Sequence, residues 1–128
     1  MIEIKEDVTY SELSGVLKCL SVFGEPTNSW CANAKTFVAK DGEVIVGVAR
    51  LIVVNRPVKG REARIEDVAV LPEFSKKRVG TKLVTHLRDY ATKELCCYKV
   101  QLTCRPELEE WYASLGFKRH EVNMRFDA

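Results

Sequence analysis

Ile2 and Ile4 alternate with Glu3 and Lys5, the period-two pattern of a half-buried strand. Thr9 and Glu12 stand three residues apart and form a capping box, since each side chain can reach the other's backbone amide. Leu13, Val16, Leu17 and Leu20 follow at helical spacing, and Phe23-Gly24 closes that helix. Residues 25–34 fit either a loop or a short second helix. Residues 36–40 and 43–54 read as two strands around Asp41-Gly42, a dipeptide suited to the positive φ of a tight hairpin turn. Residues 65–70 are a further strand, ended by Leu71-Pro72. Residues 80–95 place Leu83, Val84, Leu87, Tyr90, Ala91 and Leu95 on one helical face. Residues 98–104 alternate through Val100 and Leu102 and stop at Arg105-Pro106. Pro106 suits a helix start, Glu107, Glu109 and Glu110 suit the positive end of its dipole, and Gly116 suits its left-handed close. Residues 117–126 read as a last strand. The order is β-α-(α)-β-β-β-α-β-α-β, a mixed sheet with helices on its faces, α/β of the α+β type. The stretch 55–60 is too short to separate two domains, so residues 1–128 read as one.

Composition narrows the classes. With 46% apolar and 30% charged residues the chain is globular rather than disordered. Twenty Lys+Arg against eighteen Asp+Glu give a formal charge of +2, too balanced for a coat on nucleic acid or an anionic membrane. No apolar run reaches the ~20 residues that span a bilayer, and the first residues lack a signal-peptide apolar block. Cys19, Cys31, Cys96, Cys97 and Cys104 are odd in number and lack zinc spacing, which predicts reduced thiols in a cytoplasmic protein. His86 and His120 have no ligand-spaced partners, so no metal is assigned.

The chemistry concentrates in residues 65–84, where a strand, a basic loop and a helix start follow one another. Such a loop aims unpaired amides and the positive helix end at one spot, an anion site, and Lys76, Lys77 and Arg78 raise the potential there. The same residues also fit a solvated basic turn that binds nothing.

Residues 66–74, the loop to Gly80, residues 97–100 and residues 111–117 (Trp-Tyr-Ala-Ser-Leu-Gly-Phe) resemble the GNAT superfamily of acyl-CoA-dependent N-acetyltransferases. Ile65-Glu-Asp67, Cys97-Tyr-Lys99 and Val122-Asn-Met124 are similar to the glucosamine-6-phosphate N-acetyltransferases within it, while residues 102–106 are more like bacterial members of undefined substrate. The resemblance implies a central sheet splayed between two parallel strands, here 65–70 and 98–104. It implies acetyl-CoA in that cleft, paired to the backbone of Val68, Ala69 and Val70, with its pyrophosphate on Ser75, Lys76, Lys77, Arg78, Val79, Gly80 and Thr81. The family turn reads Arg/Gln-x-x-Gly-x-Gly/Ala; Gly80 fits it, whereas Ser75 and Arg78 depart from it. Arg78 either obstructs the phosphates with its Cβ or grips them with its guanidinium.

By the same resemblance Tyr112 is the acid that protonates the leaving thiolate, and a strand amide donates to the thioester oxygen. Glu66 is placed to take the amine's proton, directly or through water. Strict alternation puts it on the face of Val68, with Asp67 opposite. Its alternative is a salt bridge with Arg64. Glu66, Asp67, Arg64 and Thr103 are the substrate-side candidates; Thr103 stands where the sugar-phosphate enzymes carry an acid. Arg50, Arg56, Lys59, Arg61 and Arg64 suggest a cationic hairpin suited to an anionic acceptor, or an ordinary solvated one.

The expected activity is therefore acetyl transfer from acetyl-CoA to a small-molecule primary amine, glucosamine 6-phosphate being one example. The alternatives are a protein-amine acetyltransferase and a degenerate, non-catalytic CoA-binding or protein-interaction module. A homodimer formed through residues 120–126 is expected, with no nucleic-acid or membrane partner.

Overall fold

The computed structural model describes residues 2–6 and 33–128. The capping box, the helix through Leu13 and Leu20, and nearly all of segment 25–34 lie outside these. Five strands form one sheet in sequence order: β1 (Ile2–Glu6), β2 (Ala34–Asp41), β3 (Val44–Arg56), β4 (Gly60–Val70) and β5 (Lys99–Gln101). The first three pairings are antiparallel and the last is parallel. Two helices are described, α1 (Val79–Asp89) and α2 (Glu109–Ser114).

The β2–β3 turn is tighter than the Asp-Gly pair alone suggests. Asp41 still pairs with Val44, so the loop is Gly42-Glu43, and only Gly42 has positive φ (+64°). Glycine at the first central position matches a right-twisted hairpin. The stretch 55–60 is no linker. It is the β3–β4 hairpin bend, and β4 starts at Gly60 although residues 61–64 are mostly polar. Pairing with Asn55, Val54 and Val53 holds them extended.

One face of the sheet carries the main core: Phe37, Val46, Ala49, Leu51, Ala63 and Ile65, covered by Val79, Leu83, Val84 and Leu87 of α1. Each Val, Leu, Ile or Phe side chain there contributes about 1.5–3 kcal/mol on burial. Gly47 lets α1 lie close: a Cβ there would meet Leu83 Cδ1 at 2.9 Å and Val79 Cγ1 at 3.0 Å. A smaller cluster of Val38, Val48 and Ala69 lies apart from it. The helix expected over 80–95 changes pitch after Asp89. Tyr90–Glu94 is a wider π turn, closed by the Leu95 amide on the Tyr90 carbonyl (3.1 Å).

The last strand is the clearest correction. Residues 117–126 form none, and Val122, Met124 and Phe126 are 86%, 88% and 94% exposed. Their alternation names a face that could be buried, but a strand also needs a ladder partner, and these residues have none within the described chain.

Candidate active site

The parallel pairing of β4 and β5 is short: Glu62 with Lys99, Ala63 with Val100, Arg64 with Gln101. It is anchored by Glu62, a carboxylate that is only 5% exposed. Arg56 (2.8 Å) and the Tyr98 hydroxyl (2.8 Å) donate to it, and Lys99 lies 3.5 Å away. These partners, Arg56 first, hold its pKa down to about 2. A buried carboxylate needs such compensation.

Past Arg64 the strands part, and β5 itself ends at Gln101. There β4 also bulges. Arg50 pairs with Glu66 and Val48 with Ala69, so Asp67 and Val68 together oppose Ala49, and Asp67 takes the left-handed conformation (φ 54°). A bulge of this kind twists the strand and re-aims its side chains. Beyond it the Leu71 amide bonds the Val46 carbonyl (2.9 Å). Antiparallel ladders alternate, so the Val70 amide faces the other way, toward the side that β5 has left.

The bulge overturns one expectation. Glu66 does not share a face with Val68. Ile65, Val68 and Val70 all pack on the main core, while Glu66 lies opposite Arg50 on the other face. Arg64 Nε donates to Glu66 (3.1 Å) and Arg64 Nη2 to the Thr103 hydroxyl (2.8 Å), bridging the two walls where they separate. Arg50 Nη1 reaches Asp67 at 3.2 Å. Arg64, Glu66 and Thr103 are thus one linked group, with the Arg50–Asp67 pair beside it. Of the hairpin cations, Arg56 serves Glu62, and Arg61 bonds Asn55 and the Leu95 carbonyl.

Ser75, Lys76, Lys77 and Arg78 form an exposed turn into α1, with Lys77 over the Phe74 ring at 4.9 Å. Arg78 is the residue before the helix, left-handed (φ 60°, ψ 23°) and without a side-chain cap bond. The Lys82 amide makes a helical bond to the Arg78 carbonyl, so the amides of Val79, Gly80 and Thr81 precede the intrahelical ladder. Uncapped amides at a helix start suit an oxyanion ligand. Gly80 fits between two neighbours: a Cβ there would lie 3.4 Å from Trp111 and 3.8 Å from Val70. The end of β4, the start of α1 and the Trp111 ring therefore meet.

Tyr112 follows Trp111 on α2 and is 8% exposed, its ring edge-on to Trp111 (4.6 Å) and Phe117 (6.0 Å). Burial, with a smaller contribution from the Cys104 thiol, pushes its pKa above that of an ordinary phenol. Tyr112, Arg64, Thr103, Cys104 and Arg88 line one groove of about 790 Å³ that continues under the C-terminal tail. Glu66 reaches this groove only through Arg64. Two features escaped the sequence. The Thr81 hydroxyl accepts from Trp111 Nε1 (3.3 Å), and Arg88 Nη1 donates to the Leu115 carbonyl (2.6 Å). Seven-residue spacing puts Thr81 and Arg88 on one face of α1, but nothing local names their partners.

The acetyltransferase (GNAT) family model matches residues 12–117. The chain is 34% identical over 95 residues to the glucosamine 6-phosphate N-acetyltransferase of Trypanosoma brucei brucei, covering 73% of this chain and 64% of that one. It is 31% identical over 108 residues to the Candida albicans protein of the same name, covering 80% and 72%. The match spans only 39% of a rice relative, at 40% identity over 65 residues. Among solved structures, an acetyltransferase from Trypanosoma brucei superposes with a TM-score of 0.86 at 26% identity over the whole of both chains. AAC(6')-Iy, solved with the bisubstrate analogue CoA-S-monomethyl-acetylneamine, shares the fold at TM-score 0.81 and 19% identity, covering 100% of this chain and 98% of that one.

Proposed function

The chain belongs to the acetyltransferase (GNAT) family, and on that footing we propose that it transfers acetyl from acetyl-CoA to the primary amine of a small molecule, an amino-sugar phosphate such as glucosamine 6-phosphate. The observation that carries the reading is the splay itself: among the described residues, a β4 edge left unpaired at Val70, leading into an α1 without a side-chain cap, beside a buried phenol. The residues present fit an acyl-CoA. The β4 edge from Val68 through Ala69 to Val70 would take the pantetheine as an added strand. The amides of Val79, Gly80 and Thr81, with Ser75, Lys76, Lys77 and Arg78, would hold the pyrophosphate. When bound, acetyl-CoA supplies an activated acyl carbon.

The chain's own residues then have three tasks. Tyr112, a phenol that is protonated near neutrality even without the upward push of its burial, donates a proton to the departing thiolate. Glu66, with a side chain 40% exposed, takes the amine's proton, through a water where it does not touch the amine. Arg64, Arg50, Asp67 and Thr103 hold the acceptor: the cations suit a phosphate, the carboxylate an ammonium. Thr103 accepts from Arg64 and keeps its own hydroxyl proton to donate. The exposed Val122, Met124 and Phe126 would pair with a second copy, giving a homodimer.

Saturating acetyl-CoA should stabilise the protein against heat, by about 2.7 kcal/mol at one hundred times its dissociation constant. Glucosamine 6-phosphate should then release free thiol. Absence of any thermal shift at millimolar acetyl-CoA refutes the proposal; a shift without thiol release across an amine panel leaves a binding module. Tyr112→Phe should lower turnover about 10²–10⁴-fold with little change in acetyl-CoA affinity.

A further inference from the structure

A helix of six residues is too short to hold itself together in water, so the position of α2 is set entirely by what it touches. Two polar contacts tie it to α1. At one end Trp111 Nε1 donates to the Thr81 hydroxyl (3.3 Å). At the other, Arg88 Nη1 donates to the Leu115 carbonyl (2.6 Å). That carbonyl belongs to the last turn, whose oxygens lack helical partners and favour a cation. Arg88 is steadied in turn by Asp89, which accepts from its Nε at 3.0 Å. Thr81 and Arg88 lie two turns apart on α1, about 10 Å, and Leu115, which caps α2, lies about one turn past Trp111. Apolar packing of Trp111, Tyr112 and Leu115 on the main core seats α2, and the two polar contacts at different levels fix its angle against α1. Among the described residues the other side-chain ion pair of α2, Glu109 to Arg119, is between exposed groups and weak.

Tyr112 sits between the two tied residues, and its hydroxyl makes no hydrogen bond among the described residues. Its ring packs edge-on against Trp111 and Phe117, so the phenol is held by apolar contact and moves with the helix that carries it. We infer that Arg88 and Thr81 are positioning residues for Tyr112, a clamp from α1 that sets where the phenol meets the cleft. This rests on Tyr112 being the group that faces the leaving thiol. A misplacement of about 1 Å at such a contact costs about a hundredfold in function.

Binding of coenzyme A and desulfo-coenzyme A to the full chain tests the clamp without any acceptor, because the two ligands differ only at the thiol. At about pH 9, where thiolate is appreciably populated, the unaltered protein should prefer coenzyme A by about tenfold or more, the worth of one hydrogen bond to a charged group. Tyr112→Phe should abolish that preference. Arg88→Met should lose most of it, Arg88→Lys should retain part through its remaining donor, and the Tyr112→Phe, Arg88→Met double variant should lose nothing further. Should Arg88→Met melt at room temperature, Thr81→Val carries the same test from the other end. A preference left intact by Arg88→Met, or both affinities lowered equally, overturns the clamp. A preference left intact by Tyr112→Phe instead overturns the acid assignment and the clamp with it, as does failure to bind either coenzyme.

Discussion

Arg78 is the residue at which this chain departs most visibly from its family's turn, and its backbone makes a prediction independent of any ligand. It sits at φ 60°, ψ 23° immediately before α1. For an L-residue with a Cβ the left-handed conformation costs about 1–2 kcal/mol. Glycine adopts it freely but loses more chain entropy on folding, about 0.5–1 kcal/mol. The Arg78 side chain is exposed and makes no ion pair or hydrogen bond among the described residues, so its removal forfeits no such contact with them. Arg78→Gly should therefore stabilise the ligand-free protein by about 0.5–1 kcal/mol. For a chain of this length that is a rise of roughly 2–4 °C in Tm. Arg78→Ala removes the same charge from the Lys76-Lys77-Arg78 run but keeps the Cβ, and should change Tm much less. Thermal unfolding of the three proteins side by side is the assay. No rise with glycine, or an equal rise with alanine, would refute a backbone origin.

Three further outcomes follow from the geometry. Glu62, depressed from an ordinary value near 4.5 to about 2, contributes stability that is complete above about pH 4.5 and is lost as pH falls toward 2. The Tm gap between the natural protein and Glu62→Gln should close over that window, and a gap that ignores pH would remove Glu62 from the account. Gly47→Ala forces a Cβ against Leu83 and Val79, both fully buried, and should cost about 1–3 kcal/mol in denaturant unfolding; a neutral result would mean that α1 can shift. Serine at Val122, Met124 and Phe126 together should convert a dimer to a monomer in sedimentation, and a natural protein that is already monomeric would sink the dimer proposal.

Much of this architecture is written locally. Alternation at Ile2 and Ile4, the β-rich runs around Gly42 and the one-sided apolar stripe of α1 each describe a segment that must bury one face, and each formed. The exposed turn into α1 before Gly80 was legible too, because turn chemistry and helix ends are properties of a few adjacent residues. What failed was whatever depended on a distant partner. The face of Glu66 was read from strict alternation, but register against Arg50 and Val48 inserts a bulge at Asp67 and Val68 and reverses it. Residues 102–104 keep strand alternation yet leave the ladder, because β4 diverges from them after Arg64. Residues 117–126 have a strand's pattern and, among the described residues, no strand to join. The bridge from Arg64 to Thr103 spans thirty-nine positions, and the ties of Trp111 and Leu115 to α1 span thirty and twenty-seven. Periodicity reports which side of a segment is apolar. Register, splay and clamp depend on which backbone and side-chain groups meet across the fold, and only the assembled sheet decides that.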